Sequence, residues 1–443
     1  MNYFKRKQLN PSQIILISFL LLIISGTAML MLPISSKTMT STPFMTSLFT
    51  AVSATCVTGL VLVDTATHWS LFGQMIILLL IQIGGMGVVT MAISIAVFTG
   101  RKISFRQRWI MQESVSAPQV GGILRHTRFI LKITFMMEML GAFLLAFRFV
   151  PQFGFFKGLW FSLFHSISAF CNAGFDLMGR AAPFSSLTNY LSDPLIVFVI
   201  SSLIIFGGLG FLTWKDIETH HFNFKQYSLS SKLIIKTTLF LVSASFAYFF
   251  FIELNEFEFS DRLLASWFQA VTPRTAGFNT LDQTLLSESG ILITIILMLI
   301  GGSPGSTAGG FKTTTLAILV LSVQSVFVHR SNPQAYGRRI SMDSLHNASS
   351  IFVLYLVLFT TSALVITHLE HISLLSALYE TASAIGTVGL TMGITPSLST
   401  LSQIILIGLM IFGRVGGLTI IYAVFAGSGS NVLQYPQEKV SVG

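Results

Sequence analysis

Charge is scarce in this chain: Asp, Glu, Lys and Arg make up 10% of its 443 residues, against about 25% in an average soluble domain. That shortage leaves too few polar side chains to cover a soluble fold of this size. Two cysteines exclude a disulfide framework, and nine histidines without ligand spacing supply no metal centre, so ordinary surface positions account for most of them, His220 and His221 in a loop included. The sequence also lacks a phosphate-cradling G-x-x-x-x-G-K-[ST] loop and a dinucleotide fingerprint between strand and helix. Paired acids, or a nucleophile beside its base, are not assembled anywhere, so an enzyme is not expected. The 26 Lys and Arg exceed the 17 Asp and Glu, giving +9, but they are scattered over short loops with no nucleic-acid motif. Nucleic acid is therefore not an expected partner.

Apolar residues are abundant instead: 52% of the chain is hydrophobic and the mean hydropathy is +0.76. A helix needs about 20 apolar residues to cross the hydrocarbon. Eight such runs lie near 13–32, 73–98, 129–147, 194–214, 233–252, 291–321, 350–367 and 402–425, and only the sixth is interrupted by glycine and proline. The first follows Lys5, Arg6 and Lys7 like a signal peptide, but it is long and no small-residue cleavage pattern follows, so it is read as a retained helix. Placing both termini in the cytosol puts most of the Lys and Arg inside and most of the acids outside. Glu138, in the third run, is the only acid expected within the membrane, where it would pair with a neighbouring helix. The expectation is an all-α polytopic protein of the cell membrane with eight transmembrane helices and lipid as its surround.

Four segments between these runs share one pattern: LFTAVSATCVTGL at 48–60, LFHSISAFCNAGF at 163–175, WFQAVTPRTAGF at 267–278 and LYETASAIGTVGL at 378–390. Each has an aromatic near its start, small or hydroxyl residues in its middle, and a glycine before Leu or Phe. A second landmark follows each one, where IGGMG, FGGLG, IGGSPG and FGRVGG begin at 83, 206, 300 and 412. The chain thus divides into four pseudo-repeats of outer helix, pore half-helix with loop, and inner helix, at 12–100, 126–215, 232–325 and 348–427, followed by a cytosolic tail at 428–443. Repeat three departs from the pattern: its spacing is one residue shorter, and Pro273 and Arg274 replace small residues.

A helix of about 10 residues enters the bilayer and stops, so its negative C-terminal end faces the centre, and four such ends favour a cation. Glycine in the loop after it takes positive φ and lets carbonyl oxygens replace a hydration shell. The candidate filter is Val57, Thr58 and Gly59; Asn172, Ala173 and Gly174; Thr275, Ala276 and Gly277; and Thr387, Val388 and Gly389. Any one of these glycines alone reads better as a helix end or a packing contact; four in register read as one pore. Cys56 and Cys171 each stand three residues before a filter glycine and are expected to be free, packed thiols. His165 is expected to pack within pore helix two.

Gly301, Gly302, Pro304, Gly305, Gly309 and Gly310 cannot hold a regular helix in mid-membrane, so 301–315 is expected to open into a loop below the filter. Ser303, Ser306, Thr307 and the threonines 313–315 would satisfy its backbone. Arg414 lies at the level of the glycine landmark, and Lys312 ends the loop; both are candidates to anchor it or repel cations, with Lys312 alternatively reaching the interface.

At these loops and at GGSPGSTAGGFKTTT, 301–315, the chain resembles the Ktr branch of the Trk/Ktr/HKT superfamily of potassium transporters. AVTPRTAGFN at 270–279, IQIGGMG at 81–87 and GTVGLTMGITP at 386–396 are similar to that branch, as is the start directly at repeat one. The resemblance implies a bacterial potassium-selective subunit, homodimeric with one pore per subunit, related in fold to potassium channels, with 301–315 as the intramembrane gate. It implies a cytosolic ring of nucleotide-binding regulatory subunits of the KtrA/KtrC type, stimulation by sodium, and no cofactor of its own. The ring would land on 101–128, 215–232, 326–348 and the tail. Sodium-passing plant relatives often carry serine at the first filter glycine; Gly59 therefore implies potassium over sodium. The alternative is an ion-coupled secondary transporter, against which stand four parallel repeats and the shortage of membrane carboxylates.

Overall fold

The computed structural model describes residues 9–91, 109–110, 112, 123–180, 182–221, 223–424 and 438. Most of the 101–128 loop and of the 428–443 tail, two of the expected landing areas, lies outside the described residues. Apart from one small hairpin pairing Gln334–Ala335 with Arg338–Arg339, the described chain is helices and loops.

Three pieces recur four times. The outer helices are Pro11–Leu30, Ile123–Phe153, Leu229–Tyr248 and Met342–Glu370. Pore helices follow at Phe44–Thr55, Phe155–Phe170, Phe259–Val271 and Leu374–Gly386. Inner helices then begin at Leu71–Met86, Pro194–Gly208, Glu288–Leu299 and Thr400–Val415.

Apolar residues cover the outer helices on every side. Their hydropathy runs from 1.7 to 2.3, yet only 22–44% of the residues in those windows are buried. Phe135, Phe143, Phe147, Leu239, Phe240 and Leu364 stand exposed, an arrangement that hydrocarbon tolerates and water does not. Hydroxyl caps mark the starts: Ser228 and Ser341 accept the N–H groups of Ser231 and Ser344. The protein is an all-α polytopic membrane protein.

The pore helices are 12, 16, 13 and 13 residues long. That exceeds the expected 10 but reaches only about 18–24 Å at 1.5 Å per residue, short of a bilayer. Each buries an aromatic completely at one register, Phe49, Phe164, Phe268 or Tyr379. Polar aromatic tips tie three of them to the preceding repeat. Trp160 Nε1 donates to Gln74 Oε1 at 3.0 Å, Trp267 Nε1 to Ser201 Oγ at 2.8 Å, and the Tyr379 hydroxyl to Gln283 Oε1 at 2.9 Å.

Two expectations are corrected here. The runs 73–98, 194–214 and 402–425 are not continuous helices: Gly87, Gly210 and Gly416 adopt φ of +87°, +87° and +91°, and helix resumes after each. The second inner element bends by 94° at this point. A side chain resists such φ by roughly 1–2 kcal/mol, which is why glycine marks each break. Glu138 is also not the sole membrane acid, because the re-entrant pore helix four carries Glu380, fully buried, into the interior. Glu138 itself faces inner helix one, where Gln82 Nε2 donates to its two oxygens at 2.9 and 3.2 Å.

Inner helices pack on the last carbonyls of their pore helices through glycine. A side-chain carbon at Gly84, Gly207 or Gly413 would run into the carbonyl of Thr55, Phe170 or Ile385. Gly84→Ala should therefore destabilise the folded protein by about 1–3 kcal/mol, read as a lower thermal midpoint in detergent, whereas Gly408→Ala, with open space around it, should leave the midpoint unchanged.

Candidate ion pathway

The four glycines of the candidate filter, each with the carbonyl before it, meet in one ring. Val57, Asn172, Thr275 and Thr387 take φ of +51°, +57°, +68° and +50°, and Gly59, Gly174, Gly277 and Gly389 take +94°, +69°, +81° and +98°. Each quadrant thus has two left-handed residues separated by one ordinary residue. The four non-glycine positions cost about 1–3 kcal/mol apiece, so their surroundings must hold them there.

Neighbouring quadrants supply part of that hold. A side-chain carbon at Gly59 would lie 2.6 Å from the Ala173 carbonyl oxygen, and one at Gly174 would lie 2.7 Å from that of Ala276. Gly277 faces the Val388 carbonyl, and Gly389 faces that of Thr58, at closer range still. The sequence one, two, three, four and back to one closes the ring, with the carbonyl before each glycine inserted against the glycine of the preceding repeat.

Hydroxyls at the ends of the pore helices supply the rest. The Ser53 and Ser383 hydroxyls accept the N–H groups of Gly59 and Gly389 at 3.1 and 3.0 Å. The Ser168 hydroxyl donates to the Phe175 carbonyl at 2.7 Å, and Thr272 donates likewise to Phe278. Thr272 sits one residue nearer its glycine, which absorbs the shorter spacing of repeat three. Sequence reasoning gave these hydroxyls no role; counting back from each glycine would have found them.

Above the ring is a mouth cavity of about 310 Å³, lined by the four filter glycines with Asp64, Asp176, Asn279 and Thr391. A second cavity of about 290 Å³ opens on the opposite side, lined by Gly85, Gly310, Lys312, Tyr355 and Arg414. Between them runs the break in inner helix three, from Ile300 to Lys312, before helix resumes at Thr313–Phe327.

That loop contains Gly301, Gly302, Ser303, Pro304, Gly305, Ser306, Thr307, Gly309 and Gly310, and its backbone is bonded to its surroundings. Ser303 and Thr307 N–H groups donate to the carbonyls of Gly208 and Gly207 at 2.9 and 3.2 Å, and Phe211 N–H donates to Gly305 at 2.9 Å. Gly310 N–H donates to the Gly413 carbonyl at 3.2 Å. The Thr307 hydroxyl donates to the Phe170 carbonyl at 2.9 Å and lies 3.3 Å from Asn172 Oδ1. Asn172 in turn donates to Thr275 Oγ1 at 3.3 Å, so its side chain links two filter quadrants to the loop, a contact invisible in the sequence. Gly309 passes directly beneath Thr387.

Arg414 supplies the remaining connection. Its guanidinium donates to the Thr307 carbonyl and to Gly84 and Gly85 of inner helix one, the latter two at 2.5 and 2.7 Å. Lys312 Nζ turns back on the loop, 2.8 Å from the Ala308 carbonyl and 3.3 Å from that of Gly309. The loop therefore has a tie to each of the other three inner helices. Cys56 and Cys171 are buried free thiols at the ends of pore helices one and two. His165 is buried with Nδ1 2.7 Å from the Phe161 carbonyl.

Four re-entrant loops closed into one ring by a single chain, with a loop from one inner helix beneath them, define a multi-pass transport protein with one central pathway. The chain belongs to the TrkH family of cation transport proteins, which matches residues 4–432; this is a family of transporters and not of enzymes. It is 40% identical over 444 residues to Ktr system potassium uptake protein B of Bacillus subtilis, covering 98% of this chain and 97% of that protein. It is 39% identical over 449 residues to potassium/sodium uptake protein NtpJ of Enterococcus hirae, covering 99% and 98%. The crystal structure of the potassium transporter TrkH from Vibrio parahaemolyticus shares the fold, with a TM-score of 0.73 at 17% identity over 95% of this chain and 86% of that one.

Asp176 lies in the mouth loop, outside the membrane-spanning helices. Burial pushes its carboxyl up to about 7, aided by the nearby charge of Asp64 and opposed by hydrogen bonds from Met178 N–H and Ser186. It is thus ionised above that pH and neutral below it. A negative charge at the mouth gathers cations, so uptake at limiting cation concentration should rise a few-fold from about pH 6 to about pH 8. Asp176→Asn should flatten that rise, measured as initial tracer flux.

Proposed function

We propose that this chain is the potassium-translocating subunit of a bacterial uptake system, conducting dehydrated potassium through the twelve-residue ring. The observation that carries the reading is the closed cycle of left-handed glycines. It holds carbonyl oxygens around one axis at the point where four pore-helix C-termini converge, and carbonyl oxygens are the groups that replace a cation's hydration shell. Glycine in all four quadrants supports preference for potassium over sodium. One 39% identical relative is named a potassium/sodium uptake protein, which favours a second reading in which sodium also passes.

The loop at 301–315 acts as the gate in this reading, and Arg414 is its latch, since release of Thr307 from Gly84 and Gly85 would free the loop from inner helix one. Both termini are assigned to the cytosol, the membrane to the bacterial cell membrane, and the assembly to a homodimer under a cytosolic ring of nucleotide-binding subunits, with sodium as an activator. The names of the relatives, Ktr system subunits, support a multi-subunit system.

Uptake into cells lacking their own potassium transport tests the filter. The native chain should take up potassium well ahead of sodium, and Gly59→Ser should erase most of that preference; equal uptake of the two ions by the native chain would establish the second reading instead. For the gate, Arg414→Ala should raise basal flux several-fold and blunt the response to the regulatory subunit, as expected when hydrogen bonds from a charged donor, about 1.5–3 kcal/mol each, are lost. Unchanged flux and unchanged response would remove Arg414 from the gate.

A further inference from the structure

Glu380 occupies a register at which the other pore helices carry Thr50, His165 and Gln269. Its carboxylate is fully buried and receives three donors from the segment just after the fourth filter strand. The Thr391 hydroxyl and Met392 N–H reach Oε1 at 2.5 and 3.0 Å, and the Thr395 hydroxyl reaches Oε2 at 2.7 Å. Among the described residues no Lys or Arg is paired with it. The Met392 N–H can only donate, and both hydroxyls can donate as well when the carboxyl is ionised.

The consequence falls on Thr391. A hydroxyl has one proton, and the shorter contact assigns that of Thr391 to Glu380 Oε1 at 2.5 Å rather than to Thr395 Oγ1 at 3.0 Å, so oxygen lone pairs remain to face elsewhere. Gly393 N–H takes up one of them at 2.9 Å. Thr391 also lines the mouth cavity together with the four filter glycines. Two residues past its own glycine, Thr391 matches the register of Asp176 in repeat two, and the order of the ring sets repeats two and four across the axis from each other.

We infer that Glu380 is a positioning residue for the ion at the top of the filter: by holding the Thr391 proton, it presents oxygen rather than hydrogen to a cation shedding water above Gly389. Asp176 faces the same cation from the opposite quadrant. Replacing Glu380 by glutamine puts an amide donor behind the loop, which competes with the hydroxyl and turns the Thr391 O–H toward the cavity. The energetic effect concerns capture of the ion, so it belongs to the half-saturation constant and not to the maximal rate. This inference rests on the potassium reading above.

The test is potassium uptake kinetics of the full chain in cells lacking their own potassium transport, with rubidium as tracer. Glu380→Gln and Thr391→Val should each raise the half-saturation constant about tenfold at unchanged maximal rate per molecule in the membrane. The double variant should be no worse than either single one, and Thr391→Ser, which keeps the hydroxyl, should behave as the native chain. A fall in maximal rate or protein amount with an unaltered half-saturation constant would overturn the inference, as would additive single effects or a Thr391→Ser variant as impaired as Thr391→Val. Absence of saturable uptake by the native chain would overturn the potassium reading and this inference with it, whereas intact native uptake with an unshifted Glu380→Gln variant overturns the inference alone.

Discussion

An N–H or C=O left unpaired in hydrocarbon costs several kcal/mol, because no water is present to replace the missing partner. This constraint governs the whole centre of the molecule. Among the described residues, the non-helical backbone of the ring and of the loop in inner helix three is enclosed by other parts of the same chain. The filter loops lean on one another and on hydroxyls at the ends of their pore helices. The loop below them rests on the exposed carbonyls of Gly207, Gly208 and Gly413, which the breaks in inner helices two and four make available. Those breaks are therefore part of the same solution: without them, the third inner helix could not open.

Much of this was legible in the sequence because each element has its own signature. Unbroken apolar runs mark the outer helices, the aromatic-to-glycine spacing marks the pore helices, and six Gly or Pro residues within ten mark the loop in inner helix three. Other features were hidden for identifiable reasons. A membrane glycine is ambiguous between close packing and positive φ, and Gly84 and Gly87, three residues apart, do one each. Glu380 escapes notice because the search for membrane acids follows the eight spanning runs, and the pore segment that carries it is too short to be one of them. The contact of Arg414 with Gly84 and Gly85 joins opposite ends of the chain, and no local pattern announces it.

Approximate symmetry lets one chain assign different tasks to equivalent positions. At the register of Glu380, three quadrants hold neutral side chains or a buried imidazole, and at the register of Asp176 the others hold Val61, Asn279 and Thr391. In repeats one and four the pore-helix hydroxyl accepts from the filter glycine, while in two and three it donates to the residue after it. The carbonyl ring is common to all four quadrants, and the charged groups around it are not.

The closure of that ring also dictates an order of events during synthesis. Gly389 meets the Thr58 carbonyl, a contact that spans roughly three quarters of the polypeptide and belongs to the slowest class of native contacts to form. Until the fourth repeat has been inserted, the strained loops of the first three lack a complete set of neighbours, and the tie from Arg414 to inner helix one does not yet exist. A nascent chain halted before repeat four thus holds three quadrants of strained loop without the neighbour that completes the ring.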